Sequence, residues 1–507
     1  MLHAAPRPSE LIGPISSISS GQIMNPVITV TEPASLQTAD PAAGALTHSL
    51  LRQLREGYRM TDADRACQNA LSHHSAKSLA FNLGDLRSDD GHFSHKVQSK
   101  GIVNQKKSGR CWMFAGLNVL RPQVMRDHRM ESFEFSVSYL QFWDKIEKSN
   151  LYLESIIELR DAHFLDREWA DVNAMTVEDG GWWNYLVGLI AKYGVMPQSA
   201  MPETHASSNT EAINEVLGRL LRSRAVRILD SHAAGAGADR LRAEKNEALK
   251  EVYRLLVINF GEPPVEFEWR YPVKKSGDGA MDDASELHSS ANPRLSKPER
   301  HTPQSFYRQY VGRPLSEYVC LYNDPKNELN RHYRFDRARN IVGNECMNFA
   351  NIDTRSMKDI AKASILANEA LWFAVNMGFD QSTELGLMKH RLYDYEVLFG
   401  IDLALSKADR TRFHAGASGH AMALVGMDLD ADGNPRKWLV ENSWGDEKGD
   451  KGLWTLHDDW FDEHVYTIIA HRSHVPASVL KCFDEEPTVL PSWYPGARAN
   501  HGTGFSC

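Results

Sequence analysis

Cysteine is scarce in this chain. Cys67, Cys111, Cys320, Cys346, Cys482 and Cys507 are scattered through 507 residues, with no CxxC pair and no Cys/His spacing of a zinc site. A secreted disulfide scaffold is excluded on that count, and a reduced, cytoplasmic compartment is expected. No apolar run reaches the roughly 18 residues of a membrane span, so no membrane partner is expected. Positive charge is not in excess either: 57 basic against 66 acidic side chains leave −9, which gives no support for nucleic-acid binding. Residues 1–50 hold one basic residue (Arg7) and no aromatic, but six prolines and seven serines. That fits neither a secretory signal nor an Arg-rich transit peptide and reads as a disordered leader.

What remains has the composition of a globular protein, 42% hydrophobic and 24% charged. Cys111–Leu120 repeats apolar residues with helical spacing at Phe114, Leu117 and Leu120, and Pro122 is expected to limit or kink that helix. Glu211–Leu229 and Asp239–Phe260 read as helices around a Gly/Ala break at 233–238, the second burying Leu249, Val252 and Leu256. Val273–Pro303 lacks aromatics and reads as a solvated loop. Strand patterns gather late, at Ala421–Met427, Trp438–Glu441 and Val465–Ala470. Helices first and strands last predict an α+β fold.

The chemistry concentrates in three places. Cys111 opens its helix directly after Ser108-Gly109, where unpaired N–H groups and the positive end of the helix dipole favour a thiolate. Lys106, Lys107 and Arg110 add positive charge around it, Arg110 also adding bulk near the cleft. A nucleophilic thiolate needs an imidazole and a group to orient it. His420 stands at the mouth of the strand Ala421–Met427, and Asn442 leaves the next strand in Glu441-Asn-Ser-Trp-Gly445. Neighbouring strands bring the two together, with Trp444 shielding their hydrogen bond from water. Gln105, six residues before Cys111, can join the Cys111 backbone N–H as an oxyanion donor, a role typically worth on the order of 10²–10³ in rate.

This segment resembles the papain signature C-G-[SA]-C-[WY], with Ser108 in place of the first cysteine and Arg110 in place of the small residue. Further segments extend the likeness: Phe133-Glu-Phe-Ser, Phe142-Trp-Asp-Lys145, Asp179-Gly-Gly-Trp182, Gly261-Glu-Pro-Pro264, His474-Val-Pro and Leu490-Pro-Ser-Trp493. Over roughly Leu54 to Ala499 the chain resembles the bleomycin hydrolase, or aminopeptidase C, type of papain-like cysteine peptidase. The resemblance implies a two-lobed papain-like fold, Cys111 as nucleophile, His420 as acid and base, Asn442 as orienter and Gln105 as oxyanion donor. It further implies Gly180 and Gly181 as cleft residues that offer backbone groups to peptide substrates, a homohexamer, and a C-terminal arm that restricts cleavage to the substrate's N-terminal end. No cofactor and no metal are required. Alternatives on the same residues are an acyltransferase, an endopeptidase, or an inactive scaffold.

Cys111 and His420 stand 309 positions apart, against about 130–150 in a simple papain-type chain. The surplus predicts a leader at 1–50, catalytic segments at 51–200 and 341–490, a largely helical insertion at 201–340 with its loop at 273–303, and an arm and extension at 491–507. The residues 500–507 lie beyond the resemblance, so the tail is expected either to be trimmed near Ala499 or to alter the cleft.

Overall fold

The computed structural model describes residues 44–86, 90–97, 100–174, 176–274 and 295–497. The leader up to residue 43, most of the 273–303 loop and the tail from 498 onward lie outside them.

Two units divide the chain at Ser72. The first carries two short helices, His48–Gly57 and Asp62–Leu71, each started by a threonine whose hydroxyl accepts a backbone N–H. At Thr61 the cap is reciprocal, Asp64 answering with its carboxylate. The helix that begins at His48 overlaps the last residues of the expected leader.

The second unit combines long helices with a large mixed sheet. The helices are α1 (Cys111–Asp127), α2 (Val137–Glu158), α3 (Trp183–Tyr193), α4 (Glu211–Ala233) and α5 (Ala238–Phe260). The central strands are β1 (Tyr318–Tyr322), β2 (Leu371–Val375), β3 (His420–Leu429), β4 (Pro435–Glu441), β5 (Leu453–His457) and β6 (Val465–His471). They lie in the order β1-β6-β2-β3-β4-β5. β2 and β3 are buried along nearly their whole length, as their apolar sequences require of strands covered on both faces.

α1 packs on β3 and β2. Its sequence suggested one apolar face, but every residue from Cys111 to Pro122 is buried, as befits a helix at the centre of the core. Pro122 does not end it; the helix runs on to Asp127. α4 and α5 pack on each other and on α2. In α5 the buried stripe is Leu241, Lys245, Ala248, Val252, Leu256 and Phe260, so Ala248 rather than Leu249 faces the core. Lys245 is tolerated there because its ammonium meets Glu154 of α2 at 2.6 Å. Part of the segment expected as loop is ordered: Glu299–His301 pairs with Phe267–Trp269, and Pro303 opens a short helix.

Candidate active site

Cys111 is the first residue of α1, and no side chain caps that end. The helix therefore directs uncapped N–H groups and the positive end of its dipole toward the thiol. The loop before it is fixed by a buried carboxylate. Asp179 accepts the Gly109 N–H at 3.0 Å and the Thr210 hydroxyl at 2.5 Å, and pairs with Lys145 at 2.6 Å. Burial works against ionisation of Asp179, but the Lys145 ammonium and these hydrogen bonds outweigh it and hold its pKa below the usual carboxylate range. The Asp179 carbonyl also accepts the Trp112 indole N–H at 2.7 Å. Asp179 thus holds the chain on both sides of Cys111, at Gly109 before it and at Trp112 after it.

His420 begins β3, and Asn442 directly follows β4. The antiparallel pairing of these strands sets their ends side by side. The His420 Nε2 lies 2.9 Å from Asn442 Oδ1. The Asn442 oxygen also accepts the Ser443 backbone N–H at 2.8 Å, which settles which amide atom faces the ring. An acceptor opposite Nε2 places the proton there and leaves Nδ1 as the nitrogen that exchanges a proton with a neighbour. The Trp444 ring lies 4.8 Å from the His420 ring and backs onto Trp454 at 5.3 Å. His420 and Asn442 are both almost wholly buried, so their hydrogen bond is shielded from water.

Cys111 and His420 line one narrow cavity, together with Trp112, Gly181, Trp372 and Ser418. Trp182 and Trp372 are shared with a wider, mostly apolar recess of about 370 Å³ that includes Trp183, Tyr318, Met347 and Ile469.

Gln105 is completely buried beside this arrangement. Its backbone N–H donates to the Ser443 carbonyl at 2.7 Å, while the Ser443 hydroxyl donates to its side-chain oxygen at 2.6 Å. Its Nε2 donates to the Ser108 carbonyl at 2.6 Å, and a primary amide carries a second hydrogen on that nitrogen. The segment carrying Gln105 and the segment carrying Asn442 are therefore locked together, a link reinforced by the Gly445 N–H on the Val103 carbonyl at 3.1 Å.

Two expectations change. Arg110 does not bring bulk and charge to the cleft: it is 1% exposed, its guanidinium turned inward onto Glu203 and Gln141 at 2.9 Å. Ser108, which replaces the cysteine of the papain signature, accepts from Arg110 Nε and donates to the Gln105 carbonyl. A polar cluster stands where a disulfide would brace the loop. Gly180 and Gly181 also part company. Gly181 lines the Cys111 cavity, where a Cβ would come within 2.5 Å of the Trp112 indole. The Gly180 carbonyl accepts from Lys148 Nζ at 2.6 Å, and Gly180 lines a second cavity of about 160 Å³, which Ser492 and Ala497 also line.

Sequence reasoning passed over Ser443, Trp372, Lys145 and Thr210. Ser443 lay in the Asn-Ser-Trp segment and Lys145 closed the Phe142-Trp-Asp-Lys145 segment, but neither had been given a role. The others reach the site through pairings that only the fold creates.

The sequence pattern of the Peptidase C1-like family matches residues 45–497. The chain is 35% identical to aminopeptidase C of Streptococcus thermophilus over 89% of its own length and 98% of that protein. It is 33% identical to bleomycin hydrolase of Homo sapiens, covering 85% and 94% of the two chains. Its structure superposes on the crystal structure of PepW from Lactobacillus rhamnosis with a TM-score of 0.83 and 33% identity, over 90% of this chain and 99% of that one. The fold is thus the α+β papain-like one that the sequence suggested. This chain belongs to the Peptidase C1-like family.

Proposed function

We propose that this protein is a cysteine aminopeptidase that removes N-terminal residues from peptides, with Cys111 as nucleophile, His420 as general acid and base, Asn442 as orienter and Gln105 as oxyanion donor. The observation that carries the reading is the shared cavity: a thiol at an uncapped helix start and an imidazole aligned by a buried amide line the same small space. Cys111 Sγ attacks the scissile carbonyl after giving its proton to His420. The Gln105 amide and the Cys111 N–H stabilise the oxyanion, and His420 returns the proton to the departing amine. Water, activated by the same imidazole, then releases the acyl group and restores the thiol. The relatives named aminopeptidase C and bleomycin hydrolase agree with this chemistry.

The preference for free N-termini rests on the tail. Ser492 and Ala497 line the cavity that also receives Gly180, next to the glycine of the catalytic cavity. The segment is pinned there: the Tyr494 hydroxyl donates to Asp324 at 2.6 Å, and Arg167 covers the Trp493 ring at 4.6 Å. A cytoplasmic homohexamer, without membrane or nucleic-acid partners, completes the reading; among the described residues no helix is long and apolar enough to cross a membrane.

Hydrolysis of free and N-blocked peptides tests it, with full-length protein compared with a chain ending at Ala499. Free peptides should be cleaved and N-blocked ones spared, and Cys111→Ser should abolish the cleavage. Full activity in Cys111→Ser would refute the assignment, and light scattering decides the assembly.

A further inference from the structure

At the same end of the sheet as His420, but outside the catalytic cavity, three side chains converge without any role in the peptidase reading. Val375, the last residue of β2, pairs with His420 on one side and with Val465 of β6 on the other. His464 immediately precedes β6, and its carbonyl accepts the Asn376 N–H at 2.9 Å. The chain leaving β2 reaches Asp380 and turns back ten residues later at His390. That return is clamped by Lys389 N–H on the Asp380 carbonyl at 3.1 Å and by Arg391 N–H on the Asp380 carboxylate at 2.8 Å.

The geometry points to a binding site for a divalent transition metal of the zinc class, formed by Asp380, His390 and His464. One donor atom from each lies within 4.8 Å of the others. His390 Nδ1 and the Asp380 carboxylate are already 3.7 Å apart. Bonds of about 2.0–2.2 Å around a tetrahedral ion put donors about 3.3 Å from one another, so side-chain adjustments of about 1 Å close the set.

The second observation is polar dissatisfaction. His464 is 3% exposed, and its Nδ1 is buried with no hydrogen bond among the described residues. Buried imidazole nitrogens without partners are uncommon and call for an explanation such as an ion. The His464 ring is held edge and face, with Trp460 at 4.6 Å and Phe379 at 6.3 Å, so its nitrogens have fixed directions. Arg410 and Lys407 also lie near the His464 ring. Those cations do not dominate the locale: Glu463 pairs with Arg410 at 2.9 Å, and the Asp459 carboxylate lies beside the Asp380–His390 turn, accepting the His390 N–H at 3.4 Å.

Two imidazoles and one carboxylate select zinc, cobalt or nickel over magnesium or calcium, which need more oxygen donors. Three protein ligands leave a fourth position for water. Bound there, the ion would pin the β2 connection to the start of β6 and brace the strand end that carries His420.

Cobalt(II) alone is the probe, titrated into chelator-treated, full-length Cys111→Ser protein so that the nucleophile cannot supply a thiolate. One equivalent should bind with visible ligand-field absorption and no sulfur charge-transfer band. His390→Ala and Asp380→Asn, both at partly exposed side chains, should each weaken binding by at least about tenfold while melting like the parent. Should either fail to melt cooperatively, His390→Gln replaces it in the comparison. Absence of the absorption at excess cobalt, or equal binding by the variants and the parent, would overturn the site.

Discussion

Replacing Gly181 with alanine is the sharpest test of how the catalytic cavity is held. The added Cβ would sit 2.5 Å from one carbon of the Trp112 indole and 2.7 Å from two more. Carbon atoms rest about 3.5–4.0 Å apart, so roughly 1 Å must be found by moving the ring or the Gly181 backbone. The ring has little freedom, because its N–H is engaged by the Asp179 carbonyl at 2.7 Å and it is 1% exposed. Its backbone is no freer, since the Trp112 carbonyl accepts the Trp372 indole N–H at 3.0 Å. Trp112 adjoins Cys111, so strain passes straight to the nucleophile. Overpacking of this kind costs about 1–3 kcal/mol of stability, and a displacement of about 1 Å at a reacting group can cost about 10²-fold in rate. Stopped-flow hydrolysis of a free aminoacyl substrate, the alkylation rate of Cys111 and a thermal melt together separate the two effects. Gly237→Ala is the control, for a Cβ there meets nothing within 4 Å. A Gly181→Ala enzyme with kcat and Cys111 alkylation like those of Gly237→Ala would refute the reasoning.

Three further outcomes follow from the same contacts. Ser443→Ala leaves the buried Gln105 oxygen without its donor at 2.6 Å, so kcat should fall by about tenfold with KM little changed, as steady-state kinetics would show. Asp179→Asn should destabilise the protein by about 3–5 kcal/mol at neutral pH, since it strands the buried Lys145 ammonium. Because the folded-state pKa of Asp179 lies below its ordinary 3.8, the wild-type advantage is complete above that value and is lost as pH falls through the folded pKa. Urea melts should therefore show a constant deficit from pH 5 to 7 that narrows only below about pH 4. Iodoacetamide at mildly acidic pH should label Cys111 before Cys320, Cys346 and Cys482, whose thiols burial pushes upward; peptide mapping reads the order.

The members of the proposed catalytic set were legible in the sequence because each sits in a local pattern with its own physical signature. Cys111 follows a flexible Ser-Gly at a helix start, His420 precedes an apolar strand, and Asn442 lies in Asn-Ser-Trp-Gly. The two long helices of the insertion were readable from periodicity, although α5 turned its face by one residue, from Leu249 to Ala248. The early strands β1 and β2 were not read, since short apolar runs such as Leu371–Val375 do not distinguish a buried strand from a buried helix.

The sequence by itself determined the reactive groups, their order along the chain and the elements that present them, because those depend on residues within a few positions of one another. Only the tertiary structure decided what surrounds them. Arg110 looked like charge at a cleft until the fold supplied Glu203, and the Ser443 hydroxyl that holds the Gln105 amide comes from across the molecule. Asp380, His390 and His464 carry no pattern at all in the chain. They meet because β2 pairs with β6, and long-range pairing is set by the packing of the whole core rather than by any local preference.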